Sequence, residues 1–173
     1  MVKETSQSAS EEHSARAIGR SLPISTKHVV EICSFIRGKS VEEAKKLLEG
    51  VIGKKVAVPF KRYNKDVGHK KGMSTGRYPV KAASEILRVI KSAEANAQFK
   101  GINTSNLIVK EAIANKASTP LHFGRSRGRR MKRTHVSVKV EEVAKSEIAG
   151  KENKTSKKKD KAESNKSKEG KQK

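Results

Sequence analysis

The chain has 173 residues, with 40 Lys plus Arg against 18 Asp plus Glu, a formal charge of +22. Hydrophobic residues make up 34% and aromatics 3%, with no Trp, which excludes a large core and suits one small aliphatic domain with tails. Charge this unbalanced implies a polyanionic partner, with an acidic membrane surface as the other source of countercharge, although no apolar run approaches the ~18–20 residues of a membrane span; the lone Cys33 excludes an internal disulfide.

In chain order, residues 1–14 are polar and carry Glu4, Glu11 and Glu12; they read as a disordered lead and not as a signal or transit peptide. Residues 15–22 form a weak strand candidate. A helix is predicted after Ser25 as N-cap, with Val29, Ile32, Cys33 and Ile36 at helical spacing and Gly38 as its stop. Ser40 and Glu43 form an S-x-x-E capping box ahead of a second helix, whose stripe is Val41, Ala44, Leu47, Leu48 and Val51 and whose end is Gly53.

A basic loop follows over 54–77, broken by Gly68, Gly72, Gly76 and the Val58-Pro59 step. A connection this long inside a compact domain is functional or disordered. Pro79 suits the first position of a third helix, which presents Ala82, Ala83, Ile86, Ile90, Ala93 and Ala97 on one face and closes at Gly101. Strands are predicted over 107–115 and 134–143. The second alternates cleanly through Val136, Val138 and Val140, while Ile108 disturbs the alternation of Leu107, Val109 and Ile113. If the two strands pair, the residues between them form a long hairpin arm; the alternative is a floppy loop. Residues 150–173 have no apolar periodicity and read as a disordered Lys-rich tail.

The charge is concentrated. Lys54 to Lys81 holds nine Lys/Arg and one acid, Asn115 to His135 seven and none, and Gly150 to Lys173 ten Lys and four acids. The run from Gly124 to Arg133 carries Arg125, Arg127, Arg129, Arg130, Lys132 and Arg133, with glycines that allow close backbone approach. Arginine forks grip phosphates bidentately and stack, so this run suits a folded RNA, whereas the all-Lys tail suits diffuse counterion replacement. In the loop, Phe60 and Tyr63 are interleaved with Lys61, Arg62 and Lys65, and His69, Lys70, Lys71 and Arg77 extend the same positive surface. The two aromatics either stack on unpaired bases or anchor the loop to the domain. Together with Lys116 of the arm, these are the candidate RNA-binding residues.

The five histidines are scattered without zinc spacing, and Cys33 lies on an apolar helix stripe where a buried, inert thiol is expected. No P-loop, dinucleotide fingerprint or G-x-S-x-G elbow is present. No enzyme activity, cofactor or metal is expected.

Several words of this sequence carry a family resemblance: LPISTKH from Leu22, IRGKSVEEA from Ile36, VPFKRYN from Val58, GHK from Gly68, GRYP from Gly76, and FGR from Phe123 with the basic run to Arg133. Over residues 15–145 the chain resembles the universal large-subunit ribosomal protein L-twenty-two family (L-seventeen in eukaryotic naming), in its archaeal and eukaryotic form. The resemblance implies an α+β fold: three helices packed on a small three-stranded antiparallel sheet, with a long protruding hairpin over 107–143, all within a domain spanning 15–149. It implies a structural constituent of the large ribosomal subunit in the cytoplasm, with ribosomal RNA and neighbouring ribosomal proteins as partners and no homo-oligomer or membrane. It also implies that the hairpin tip, mapped onto Ser118, Thr119, Pro120, Leu121, His122, Phe123 and Gly124, lines the peptide exit tunnel, which makes nascent peptide a candidate partner there. The chain departs from the family at the tip, where Pro120-Leu121-His122 replaces the usual Pro-Arg-Ala. The rival expectation is an architectural DNA-binding protein acting through the Lys-rich tail.

Overall fold

The computed structural model describes residues 13–142; the Lys-rich tail and all of the expected lead except residues 13 and 14 lie outside that range. The first strand, β1 (Ser14–Leu22), opens earlier than the sequence pattern implies, with Ser14 and Ala15 buried. Two helices follow, α1 (Thr26–Ile36) and α2 (Val41–Ile52), then short strands β2 (Val58–Pro59) and β3 (Gly76–Arg77), a long helix α3 (Val80–Phe99), and strands β4 (Leu107–Lys116) and β5 (Thr134–Glu142). The architecture is the expected α+β arrangement. β5 lies in the middle of an antiparallel sheet ordered β1-β5-β4, and β2 and β3 form a second, two-stranded sheet.

The clean alternation of β5 sets the layers. Val136, Val138 and Val140 face the helices and are fully buried, while His135, Ser137, Lys139 and Glu141 face the other way and are half-buried. On that outer face Glu141 bridges Lys110 and Lys139, and Arg16 donates from Nε to Ser137 Oγ at 2.9 Å. α3 packs across β1 and β5, α1 against β4, and α2 against α3. The core is aliphatic: Val29, Ile32, Ile36, Leu48, Ile86, Ile90 and Leu107 are sealed from solvent. The alanine face of α3 (Ala82, Ala83, Ala93, Ala97) is likewise buried, as its small side chains require for close approach.

The uneven pattern of β4 has a local cause. Val109 pairs with Val140 and Glu111 with Lys139, so Lys110 is an extra residue, a β-bulge. Because side chains alternate with period two, one extra residue exchanges the faces beyond it. Ala112 therefore points inward, and Ile113, expected on the core side with Leu107 and Val109, is 42% exposed. The edge of β4 is covered by the α1–α2 connection, since Gly38 N–H donates to Val109 O at 2.8 Å and Val109 N–H to Lys39 O at 2.9 Å. Gly38 makes this approach at φ +77°, the left-handed conformation that ends α1.

Helix starts follow the sequence signals in part. Ser40 Oγ accepts from Glu43 N–H at 3.1 Å, but the Glu43 carboxylate turns to Lys39 Nζ at 2.6 Å instead of closing the box. Ser25 sits at the N-cap of α1 without a side-chain bond, and Pro79 precedes α3 by one residue.

Candidate nucleic-acid interface

The basic loop is ordered at both ends and in its middle. β2 and β3 pair Val58 with Arg77 and Pro59 with Gly76. Phe60 N–H then donates to Thr75 O at 3.0 Å, and Thr75 Oγ1 to Phe60 O at 2.5 Å. Phe60 itself is 2% exposed and joins the core, meeting the His28 ring edge-on at a centroid distance of 5.6 Å. Of the two roles open to it, it takes the anchoring one and is closed to base stacking.

The residue that organises the loop is one the sequence reading passed over. Glu31, on α1, is 3% exposed. Its carboxylate accepts three backbone N–H groups in succession, from Lys61 (3.0 Å), Arg62 (2.8 Å) and Tyr63 (2.7 Å). A buried carboxylate is tolerated only when its lone pairs are satisfied, and here the main chain of the loop wraps around it. Asn64 then turns the chain at φ +52°, a left-handed position that Asn accepts more readily than most residues. The signal was present at helical spacing: His28, Glu31 and Phe35 fall at i, i+3 and i+7, a second covered face of α1 beside the Val29, Ile32, Cys33, Ile36 stripe.

With main chain held from below, side chains point out. Lys61, Arg62, Lys65, His69, Lys70, Lys71 and Arg77 are all exposed. Tyr63 is half-buried beneath the Lys27 ammonium (6.0 Å from the ring centroid) and the Arg62 guanidinium (5.5 Å), and Lys70 lies 5.6 Å from the ring of Tyr78. Lys27 and Tyr78 thus join the surface, although nothing in their sequence spacing marks them.

The arm is paired well past β4. Beyond Lys116↔Thr134, Ala117 N–H donates to Arg133 O at 3.1 Å, Met131 N–H to Pro120 O at 2.8 Å, and His122 N–H to Arg129 O at 2.8 Å. It is a hairpin and not a floppy loop. The chain reverses over 123–128, with a 3-10 turn at Gly124–Ser126, Gly124 at φ +65° and Arg127 Nε bonded to Gly124 O at 3.3 Å. Ser118, Thr119, Pro120 and Leu121 consequently lie on the outgoing limb, and Phe123 and Gly124 in the turn. Leu121 and Phe123 are 59% and 85% exposed. Lys116, Arg125, Arg127, Arg129, Arg130 and Lys132 are exposed and His122 half-buried.

The foot of the arm is fastened to the domain. Thr134, fully buried, donates from Oγ1 to Ile24 O at 2.9 Å, which leaves its oxygen to accept from Thr26 Oγ1, also at 2.9 Å. Ser21, a non-glycine at φ +53°, is gripped from both sides: its N–H donates to His135 Nδ1 at 3.1 Å and its carbonyl accepts from Arg133 Nη1 at 3.2 Å. Arg133, half-buried, is therefore a fastener as well as a cation of the arm.

Carboxylates are spent elsewhere. Among the described residues, ion pairs join Lys39–Glu43, Lys45–Glu94, Arg88–Glu85, and Glu141 with Lys110 and Lys139. None involves a predicted RNA-binding cation. The resulting positive field reaches His28, whose pKa is held below the usual 6.5 first by burial and then by Arg77 and Lys132. Burial pushes the Cys33 thiol up to about 12, against a weaker opposing pull from Arg37. Among the described residues no three His, Cys, Asp or Glu side chains gather as a metal site, and no helix is long and apolar enough to cross a membrane.

The family model described as "Ribosomal protein L22p/L17e" matches residues 17–145, a span that contains both the loop and the whole arm. The chain belongs to this family. Similar proteins include the large ribosomal subunit protein uL22 of the archaeon Archaeoglobus fulgidus, 45% identical over 76% of this chain and 90% of that protein. The uL22 proteins of Methanosphaera stadtmanae (46% identical, 79% of this chain, 94% of that protein) and Methanocaldococcus jannaschii (45%, 76% and 89%) are alike in extent. The family is one of ribosomal proteins and not of enzymes.

Proposed function

We propose that this chain is a structural constituent of the large subunit of the cytoplasmic ribosome and binds ribosomal RNA through the 54–77 loop and the 107–143 arm, among neighbouring ribosomal proteins. The observation that carries this reading is the division of labour in charge. The loop and the 116–132 stretch of the arm present exposed Lys and Arg that join none of the ion pairs among the described residues, while the carboxylates serve the sheet, the helices and the loop backbone. RNA segments that would repel one another are neutralised where they meet these surfaces, and recognition is by phosphate position and shape, with Tyr63 available at a base face.

In this reading the arm extends toward the peptide exit tunnel and its end lines the wall. The exposed Leu121 and Phe123 put apolar surface at the entry to the turn, while Arg125, Arg127, Arg129 and Arg130 hold the surrounding RNA. The tip residues Ser118 to Gly124 are the part of the chain that nascent peptide would pass.

Filter binding of the full chain to large-subunit ribosomal RNA across a salt series tests the reading. Eight phosphate contacts predict that log affinity falls with log salt at a slope of about −6 to −7. A slope near −2, or release from large subunits washed at high salt, counts against it. Removing residues 150–173 is expected to leave this binding almost unchanged; loss of most of it would favour a tail-driven DNA-binding protein.

A further inference from the structure

The loop and the arm are about thirty residues apart in sequence, yet each contributes to a groove that borders the start of α3. One groove of about 480 Å³ is lined by Lys54, Lys70, Arg77 and Tyr78, together with Val67 and the glycines at 68 and 76. A second, of about 340 Å³, is lined by Lys81, His122, Arg130, Lys132 and Arg133 with Pro23 and Met131. Tyr78 borders the first and Lys81 the second, so only the three-residue step into α3 separates them. The His28 ring lies within electrostatic reach of one cation from each side, Arg77 and Lys132. Among the described residues no carboxylate lines either groove. Like charges gathered this closely destabilise the free protein, and a shared anion relieves them.

We propose that the two grooves form a single RNA site, in which one stretch of phosphodiester backbone crosses the start of α3 from Lys54, Lys70 and Arg77 to Lys81, Arg130 and Lys132. The loop and the arm then hold the same RNA segment, and not two unrelated ones. The inference rests on the reading of the chain as an RNA-binding protein and adds Lys54 and Lys81 to its contacts. Arg133 contributes less than its neighbours, because one face of its guanidinium is committed to Ser21.

The test places an iron chelate on a cysteine introduced at either groove, Asp66→Cys beside the first or Pro23→Cys in the second, in the full chain bound to large-subunit ribosomal RNA. Cys33, buried and with its thiol pKa near 12, stays unlabelled at neutral pH. Hydroxyl radicals from both positions are expected to cut overlapping stretches of RNA. Cuts in two stretches remote in sequence and secondary structure overturn the single site while leaving RNA binding intact. Failure of the unmodified chain to bind overturns the proposed function itself. As an independent readout, Lys81→Gln should make the salt slope shallower by about 0.7–0.9. Lys91→Gln, an exposed cation about 15 Å further along the same helix, should not. Equal behaviour of the two variants overturns the site.

Discussion

Glu31 is the residue on which the loop depends. Hydrogen bonds to a charged acceptor contribute about 1.5–3 kcal/mol each, and three main-chain donors share this one carboxylate. Glu31→Ala leaves those donors without a partner, and a loss of about 3 kcal/mol in urea unfolding of the full chain is expected, with faster amide exchange at Arg62 and Tyr63. Unchanged exchange at those two amides would show that the loop is held by something else. The two aromatics separate in the same way. Phe60→Ala should cost about 3–5 kcal/mol, as for a buried Phe, whereas Tyr63→Ala should leave stability within about 1 kcal/mol and weaken RNA binding. If both variants lose stability alike, Tyr63 is also an anchor.

At the scale of elements, the arm and the start of α1 make separate predictions. Replacing Arg125, Arg127, Arg129 and Arg130 together with Gln should leave the circular dichroism of the free chain unchanged, because these residues enter the fold through backbone bonds, apart from the exposed bond from Arg127 Nε to Gly124 O at the turn. Assembly into subunits should weaken. For His28 the folded pKa lies below its unfolded value of about 6.5. The unfolded chain therefore binds more protons, and the His28 contribution to stability is present above that value and lost as pH falls through and below it. The melting temperature should drop on acidification from pH 7 toward 5, and His28→Gln should flatten that part of the profile. An identical profile in the variant would assign the effect to another group. Bound RNA, by neutralising Arg77 and Lys132, should raise the His28 pKa, which an imidazole NMR titration reads directly.

Over the whole molecule, what could be read from sequence was whatever repeats along one element. The three helices, the alternation of β5 and the segregation of charge all follow from local periodicity and composition, and the family words fixed the sheet. What escaped depended on partners distant in sequence. Lys110 inserts one residue into β4 only in the register set by β5, so Ile113 faces outward although its spacing from Leu107 and Val109 says otherwise. Glu31 looks like an ordinary helix-surface acid until residues thirty positions later close over it. Arg133 reads as one more arm cation, and only the left-handed turn at Ser21 reveals that it is also a fastener. That grooves from both basic segments border the start of α3 likewise belongs to the fold and not to either segment.

The bond pattern at Glu31 has a consequence for how such a surface can change over time. Because the carboxylate grips N–H groups, which every residue but proline supplies, Lys61, Arg62 and Tyr63 are free to be exchanged without disturbing the loop's path. Proline at any of the three positions is the exception and should be absent from functional variants. Contact chemistry and loop shape are thus inherited separately: one acid on α1 preserves the shape, and the side chains above it can drift with whatever partner they meet.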